Sequence, residues 1–236
     1  MKIFAKTRFY YGAATISFIA AGIMVPLMFL FKNKRSEILH YWNKVIIFLI
    51  GGKIITHGVA DKTADMLVMN HQGIIDIVSI EAVKTNDICW VAKKQLFDAP
   101  WFGYLLKLPK MIQVNREDKS GLIKLLRDSK EVSQKTTRTI AIFPEGTRTD
   151  QQELLEFKGG TRIIANKLNL RIQPVIISNS KLLLNEHNKT AHSATVHISY
   201  LETIQVNKNN KEWYQDLQHT MQNLIDEEYN LHERQR

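Results

Sequence analysis

Met66-Leu67-Val68-Met69-Asn70-His71-Gln72-Gly73-Ile74-Ile75-Asp76 is the stretch that decides the fold. Four apolar residues run without interruption into an Asn-His pair and a glycine, and a second apolar pattern begins at Ile74. A short unbroken apolar run bounded by such a break reads as a strand buried on both faces. Polar side chains at the carboxyl end of a buried strand sit where open α/β sheets gather their functional groups. Outward from residues 66–70, similar runs rich in β-branched residues recur at 54–59, 88–92, 111–115, 139–143, 173–178 and 194–201. Helical patterns fill the gaps. Residues 121–134 put Leu122, Leu125, Leu126 and Ser129 on one side; 161–168 form a shorter helix; 211–236 space Trp213, Leu217, Met221, Leu224 and Ile225 helically. Strands alternating with helices predict an α/β domain over 54–236, a mixed, largely parallel sheet flanked by helices.

The first 53 residues are of another kind. Residues 9–31 form an uncharged run of 23 residues with Lys2, Lys6 and Arg8 before it and Lys32, Lys34 and Arg35 after it. As a helix it measures about 34 Å, enough to cross a bilayer. A cleaved signal peptide fits less well, because the run is long and no small-x-small site follows it before the charges. A second apolar stretch, 38–50, is too short to span and carries Tyr41 and Trp42, residues suited to the headgroup layer. Two arrangements fit: a spanning first helix, or a hairpin lying in one leaflet with Pro26 bending its first arm. The hairpin is preferred, so the expected organisation is an N-terminal hydrophobic helical hairpin (1–53) followed by the α/β domain (54–236).

Net charge is +9, and residues 1–60 hold eight Lys/Arg against one acid, Glu37. The excess lies beside the most apolar part of the chain, which points to a membrane surface and away from nucleic acid, whose binders interleave basic and aromatic residues on a folded face. One cysteine, Cys89, excludes an intramolecular disulfide framework and any CxxC metal knuckle. Flanked by Ile88 and Trp90, it reads as an inert core thiol. The polar stretch 185–193 reads as a surface loop, with His187 and His192 solvated and not metal ligands. Neither a GxSxG elbow nor an HExxH helix is present, so a serine hydrolase and a zinc hydrolase are disfavoured.

His71 and Asp76 carry the first candidate chemistry. Five residues apart on a regular helix, their side chains would diverge by about 140°. They meet only if His71 lies in a loop and Gly73 permits a turn before a helix starting near Ile74. The carboxylate then fixes one ring nitrogen and stabilises the imidazolium while the other takes a proton. With no Ser or Cys nucleophile alongside, the natural task of such a pair is to deprotonate a hydroxyl of the substrate. On spacing alone, simple helix capping by the same two residues is the preferred reading. The second group is Phe143-Pro144-Glu145-Gly146-Thr147-Arg148, where Arg148 offers a planar fork for phosphate. Phe157-Lys158-Gly159-Gly160 precedes a helix expected near Thr161, whose first amides suit an anion. Val114-Asn115-Arg116 puts another cation at a strand end, and Gln173-Pro174-Val175 begins a buried strand.

In this order and spacing, NHQGIID (70–76), VNR (114–116), FPEGTR (143–148) and QPV (173–175) resemble the glycerolipid acyltransferase family, most closely its bacterial 1-acylglycerol-3-phosphate acyltransferases. The resemblance implies that His71 is the general base and Asp76 its orienting partner. It implies that Glu145, Gly146, Thr147 and Arg148 bind the glycerol phosphate and that Arg116 and Lys158 add phosphate contacts. Lys93 maps to a lysine near the family's active site. The chain departs from the family at Asn115, where an Asp is common. The implied reaction forms phosphatidate from lysophosphatidate, with acyl-CoA or acyl-carrier protein as co-substrate, no bound cofactor and no metal, at the cytoplasmic face of the cell membrane. Alternatives are the same chemistry on another lysolipid or on glycerol 3-phosphate, and a non-enzymatic, membrane-anchored module that binds anionic lipid.

Overall fold

The computed structural model describes residues 2–115, 119–149, 151–206, 210 and 212–233. The strands are β1 (Gly52–His57), β2 (Met66–Met69), β3 (Ile88–Lys93), β4 (Ile112–Val114), β5 (Thr139–Ile142), β6 (Arg171–Ser178), β7 (Leu184–Asn185), β8 (Thr190–Ala191), β9 (Ala194–Tyr200) and β10 (Ile204–Gln205). All seven expected strands are among them. The main sheet runs β1-β9-β6-β2-β5-β3-β4. Its centre, β6-β2-β5-β3-β4, is parallel throughout; β9 runs antiparallel to β6, and β1 pairs parallel to β9. The mixed, largely parallel α/β fold is therefore present. Sequence neighbours β2 and β3 are separated in the sheet by β5, because β5 enters between them with Val68 opposite Ile142. The carboxyl ends of β2 and β5 thus lie side by side.

Helices cover the sheet. The chain opens with α1 (Lys2–Ser17), which continues through a π-helical stretch, Phe18–Met24, into α2 (Val25–Leu30). Val25 donates its amide to Ala20, one residue further back than in an α-helix. Pro26 has no N–H to continue that row, which explains the widened turn here. α3 (Arg35–Leu49) folds back along this long helix and packs on α4 (Ile74–Val83). α5 (Lys94–Asp98) and α6 (Tyr104–Lys107) lie between β3 and β4. α7 (Lys119–Lys135) and α8 (Gly159–Leu168) pack on each other, α9 (Ser180–Leu183) follows β6, and α10 (Trp213–Glu233) lies against β6. β2 and β5 are buried along their whole length, as strands covered on both faces must be.

The N-terminal hairpin shares one hydrophobic core with the sheet. Val25 and Met28 of α2 and Ile46 of α3 are as inaccessible as the strand residues. A buried polar network ties the layers together. Glu81 of α4 receives Trp90 Nε1 (2.8 Å) and pairs with Lys84 (2.9 Å), while Lys84 reaches Ser36 of α3 (2.8 Å). The first helix also touches the rest of the chain along its length. Arg8 bonds Ser193 Oγ (3.0 Å), Trp101 Nε1 bonds the Ala21 carbonyl (2.7 Å), and the Phe29 and Tyr104 rings meet at 5.1 Å.

Three expectations change. α8 begins at Gly159, before Thr161, because Lys158 caps it from an extended conformation and fixes its own amide on the Pro144 carbonyl (2.8 Å). The stretch 185–193 contains part of a two-stranded hairpin, β7–β8, too short to show in sequence periodicity. Gly73 has φ −167°, an extended conformation open to any residue, so the turn into α4 does not depend on glycine's freedom there.

Candidate active site

The site forms where β2 and β5 end. Asn70 leaves β2 and exchanges two hydrogen bonds with Ile177 of β6, at 2.9 and 2.8 Å, closing the ladder where the strand stops. The next residue, His71, is in the loop, as the spacing required. α4 starts at Ile74, which makes Asp76 its third residue. From there the Asp76 side chain turns back. Its Oδ2 accepts the backbone N–H groups of Gln72 (2.6 Å) and Gly73 (2.8 Å) and lies 2.9 Å from His71 Nδ1. Asp76 is fully buried and the His71 side chain is 12% exposed, so the imidazole is open at one edge only. The capping and pairing readings of Asp76 are therefore both true of one oxygen. Nδ1–H donates to the carboxylate, which leaves Nε2 as the proton acceptor. The His71 ring stacks on Phe143 at 3.8 Å and 9° between planes, which fixes its orientation.

The FPEGTR loop is laced to the His71 loop. Glu145 is buried, and its two oxygens accept the amides of His71 (2.8 Å) and Leu155 (2.8 Å). The Thr149 amide donates to the His71 carbonyl (3.0 Å). Glu145 thus spans the loops and offers no open face to a ligand. Gly146 has φ +73°, in the left-handed region that favours glycine, and closes a tight turn by donating to Phe143 (3.1 Å). That turn leaves Thr147 and Arg148 exposed.

Burial pushes the Glu145 carboxyl up to about 7, against the pull of the Leu155 and His71 amides and with a further push from Asp76. The folded chain therefore holds this proton more tightly than the unfolded chain. The stabilisation is full below the ordinary value of about 4.3 and is lost as pH rises through about 7. Glu145→Gln does not titrate. The melting temperature of the wild type should therefore fall by several degrees relative to the variant between pH 5 and 7, with no further change above. A pH-independent difference in scanning calorimetry would overturn this.

Arg148 Nη1 pairs with Glu186 Oε1 at 2.9 Å, and Glu186 Oε2 accepts the Ile74 amide (3.2 Å) at the N-terminus of α4. One carboxylate therefore bridges the exposed arginine and the helix that carries Asp76. Glu186 follows β7, in the stretch read from sequence as a plain loop, and no local signal marks it. Lys93 is exposed at the carboxyl end of β3, on the same rim of the sheet. Lys158 is also exposed, with Nζ 3.7 Å from Glu156. Arg116 lies outside the described residues. Among the described residues, no three His, Cys, Asp or Glu side chains converge as metal ligands.

A family profile described as Acyltransferase matches residues 53–178. A Helicobacter pylori 1-acyl-sn-glycerol-3-phosphate acyltransferase is 35% identical over 208 residues, 86% of this chain and 87% of that protein. The chain belongs to the acyltransferase family.

It is an acyltransferase whose matched region takes in both the His71–Asp76 pair and the Glu145–Arg148 loop. Similarity extends beyond bacteria: a human 1-acyl-sn-glycerol-3-phosphate acyltransferase beta is 30% identical over 139 residues, 59% of this chain and 50% of the human protein. The chain thus spans nearly all of the bacterial relative and half of the human one. A Rhizobium meliloti lyso-ornithine lipid O-acyltransferase is 27% identical over 146 residues, 61% of this chain and 48% of that protein. The crystal structure of a 1-acyl-sn-glycerophosphate (LPA) acyltransferase from Thermotoga maritima superposes with a TM-score of 0.74 and 18% identity, covering 96% of each chain. That match shows the same fold over nearly the whole length of both chains.

Proposed function

We propose that this acyltransferase moves a fatty acyl group from acyl-CoA or acyl-carrier protein to the sn-2 hydroxyl of 1-acylglycerol 3-phosphate and forms phosphatidate. The observation that carries the reading is the His71 Nδ1–Asp76 Oδ2 contact at 2.9 Å, on the same rim as an exposed Arg148. His71 Nε2 removes the proton from the sn-2 hydroxyl as its oxygen attacks the thioester carbon. Asp76 stabilises the imidazolium that results. The tetrahedral oxyanion requires donors at the rim, a task assigned to Lys93 or to backbone amides. When the C–S bond breaks, the thiolate takes the proton from His71, and the base is restored. The substrate supplies the nucleophile, so no acyl-enzyme forms and no bound cofactor takes part. Arg148, with Arg116 and Lys158, holds the phosphate, and Gly146 and Thr147 shape the loop that presents Arg148. Glu145 serves by joining the loops and not as a ligand. The Helicobacter and human relatives, both named for this reaction, support the substrate.

The hairpin supports a membrane setting. Contacts from Arg8 to Phe29 cover about 32 Å of helix. A helix crossing about 30 Å of hydrocarbon with its domain on one side would meet that domain at one end only. The contacts favour a hairpin lying in one leaflet; a donor made in the cytosol is the reason for assigning it to the cytoplasmic face.

The test is acyl transfer by purified protein in liposomes, with palmitoyl-CoA and lysophosphatidate, glycerol 3-phosphate or a lyso-ornithine lipid. Phosphatidate formation supports the proposal. Transfer only to the ornithine lipid would shift the acceptor toward the Rhizobium relative's. Binding without transfer to any of them would favour a lipid-binding module.

In the free enzyme Glu186 occupies the guanidinium that the phosphate needs. An ion pair this exposed is worth about 0.2–1 kcal/mol. Glu186→Gln should therefore lower KM for lysophosphatidate by up to about fivefold. A raised KM would show instead that Glu186 holds Arg148 in place.

A further inference from the structure

The connection between β3 and β4 continues the apolar surface of the N-terminal helix onto the sheet domain. Trp101, Phe102 and Tyr104 are exposed on it, and Phe29, Leu30 and Phe31 are exposed at the end of the first helix. The two groups are joined by the Phe29–Tyr104 ring contact at 5.1 Å and the Trp101–Tyr104 contact at 6.0 Å. Lys94, Lys107 and Lys110 are exposed around them, and Lys32 and Lys34 follow the helix end. Large apolar side chains gathered on a surface mark an interaction site. Aromatic rings mixed with lysines beside an apolar helix have the composition of a headgroup-layer contact.

The segment is held in place by the irregularity of the helix. Val25 donates to Ala20, and the next acceptor in that row is the carbonyl of Ala21. Its donor would be Pro26, which has no N–H. The Trp101 indole N–H bonds that carbonyl instead, at 2.7 Å. Trp101 sits at φ +62°, a region rarely used by bulky residues. Gly103 completes the turn where a Cβ would collide with the Phe97 carbonyl oxygen. At the far end Arg35 bonds the carbonyls of Leu108 (2.6 Å) and Met28 (3.1 Å), again joining segment to helix. The rings are thus presented by a fixed frame.

We propose that residues 94–110 form a second bilayer contact, in which Trp101 and Phe102 enter the headgroup–acyl boundary of an anionic membrane beside Phe29–Phe31 while the lysines meet lipid phosphates. The inference rests on the membrane reading above and extends it from the hairpin to the sheet domain. It sets the carboxyl end of β3, with Lys93, at the lipid surface, so that a lysolipid reaches the site without leaving the bilayer.

The test uses the full chain and vesicles of phosphatidylethanolamine and phosphatidylglycerol in equal parts. Flotation measures binding. Brominated acyl chains report depth through the fluorescence difference between wild type and Trp101→Phe. The expected result is quenching of Trp101 on binding, together with vesicle affinity weakened roughly tenfold by Phe102→Glu, whose circular dichroism spectrum matches the wild type. Flotation without Trp101 quenching, and with Phe102→Glu unaffected, would overturn this inference and leave the hairpin as the membrane contact. No flotation of the wild type would overturn the membrane reading itself. A variant that floats normally but has a raised KM for an acyl-carrier-protein donor would overturn the inference in favour of a protein partner.

Discussion

His71→Ala lowers kcat by about 10²–10⁴-fold, the range supplied by a positioned general base. The His71 amide is held by Glu145, its carbonyl by Thr149, its ring by Phe143 and its Nδ1 by Asp76, so among the described residues its one unassigned polar atom is Nε2. A residue so constrained and still open at one edge loses chemistry when truncated, while the groups assigned to phosphate binding remain. KM for lysophosphatidate should therefore change much less than kcat. Steady-state kinetics on the purified variant check this, and a loss below tenfold would remove His71 from the role of base.

Asp76→Asn carries the second large effect, a loss of about 10²–10⁴-fold in kcat with a measurable loss of stability. Asp76 Oδ2 takes two amides and the imidazole, and Oδ1 is buried with no partner among the described residues. If the asparagine oxygen keeps the two amides, the imidazolium loses its counter-charge and the new NH₂ group is buried without an acceptor. An unsatisfied buried donor costs about 1–3 kcal/mol. If the side chain flips, the NH₂ faces three donors and α4 loses the acid of its first turn. Calorimetry and kinetics on the same preparation separate the two losses. Wild-type kcat with a lowered melting temperature would mean that Asp76 only caps the helix.

The strands and the loop at His71 were legible because both rest on short-range rules, while the pairing of His71 with Asp76 came from the resemblance of NHQGIID to a family motif. Uninterrupted runs such as 66–70 and 139–143 mark strands buried on both faces, and in the structure β2 and β5 are buried throughout. His71 and Asp76 meet within one strand-to-helix turn, so their spacing already limited the geometry to a loop followed by a helix start. The turn at Gly146 was not legible in this way; the structure alone places this glycine in the left-handed region.

The identity of the site's other partners was not legible. Glu145 looked like a ligand beside Arg148, yet its carboxylate is turned inward to the amides of His71 and Leu155, 74 and 10 residues away. Glu186 carried no signal, because the pairing with Arg148 depends on how a hairpin of two-residue strands sits against α4. The apolar run 9–31 fitted a spanning helix as well as the preferred surface hairpin. Only contacts made by residues as distant as Ser193, Trp101 and Tyr104 set its course along the domain. Sequence by itself determined what neighbouring residues impose on one another: strand periodicity, the loop at His71 and the apolar helix. Tertiary structure decided which polar groups face inward and which charges pair, because those depend on burial and on contacts between residues far apart in the chain.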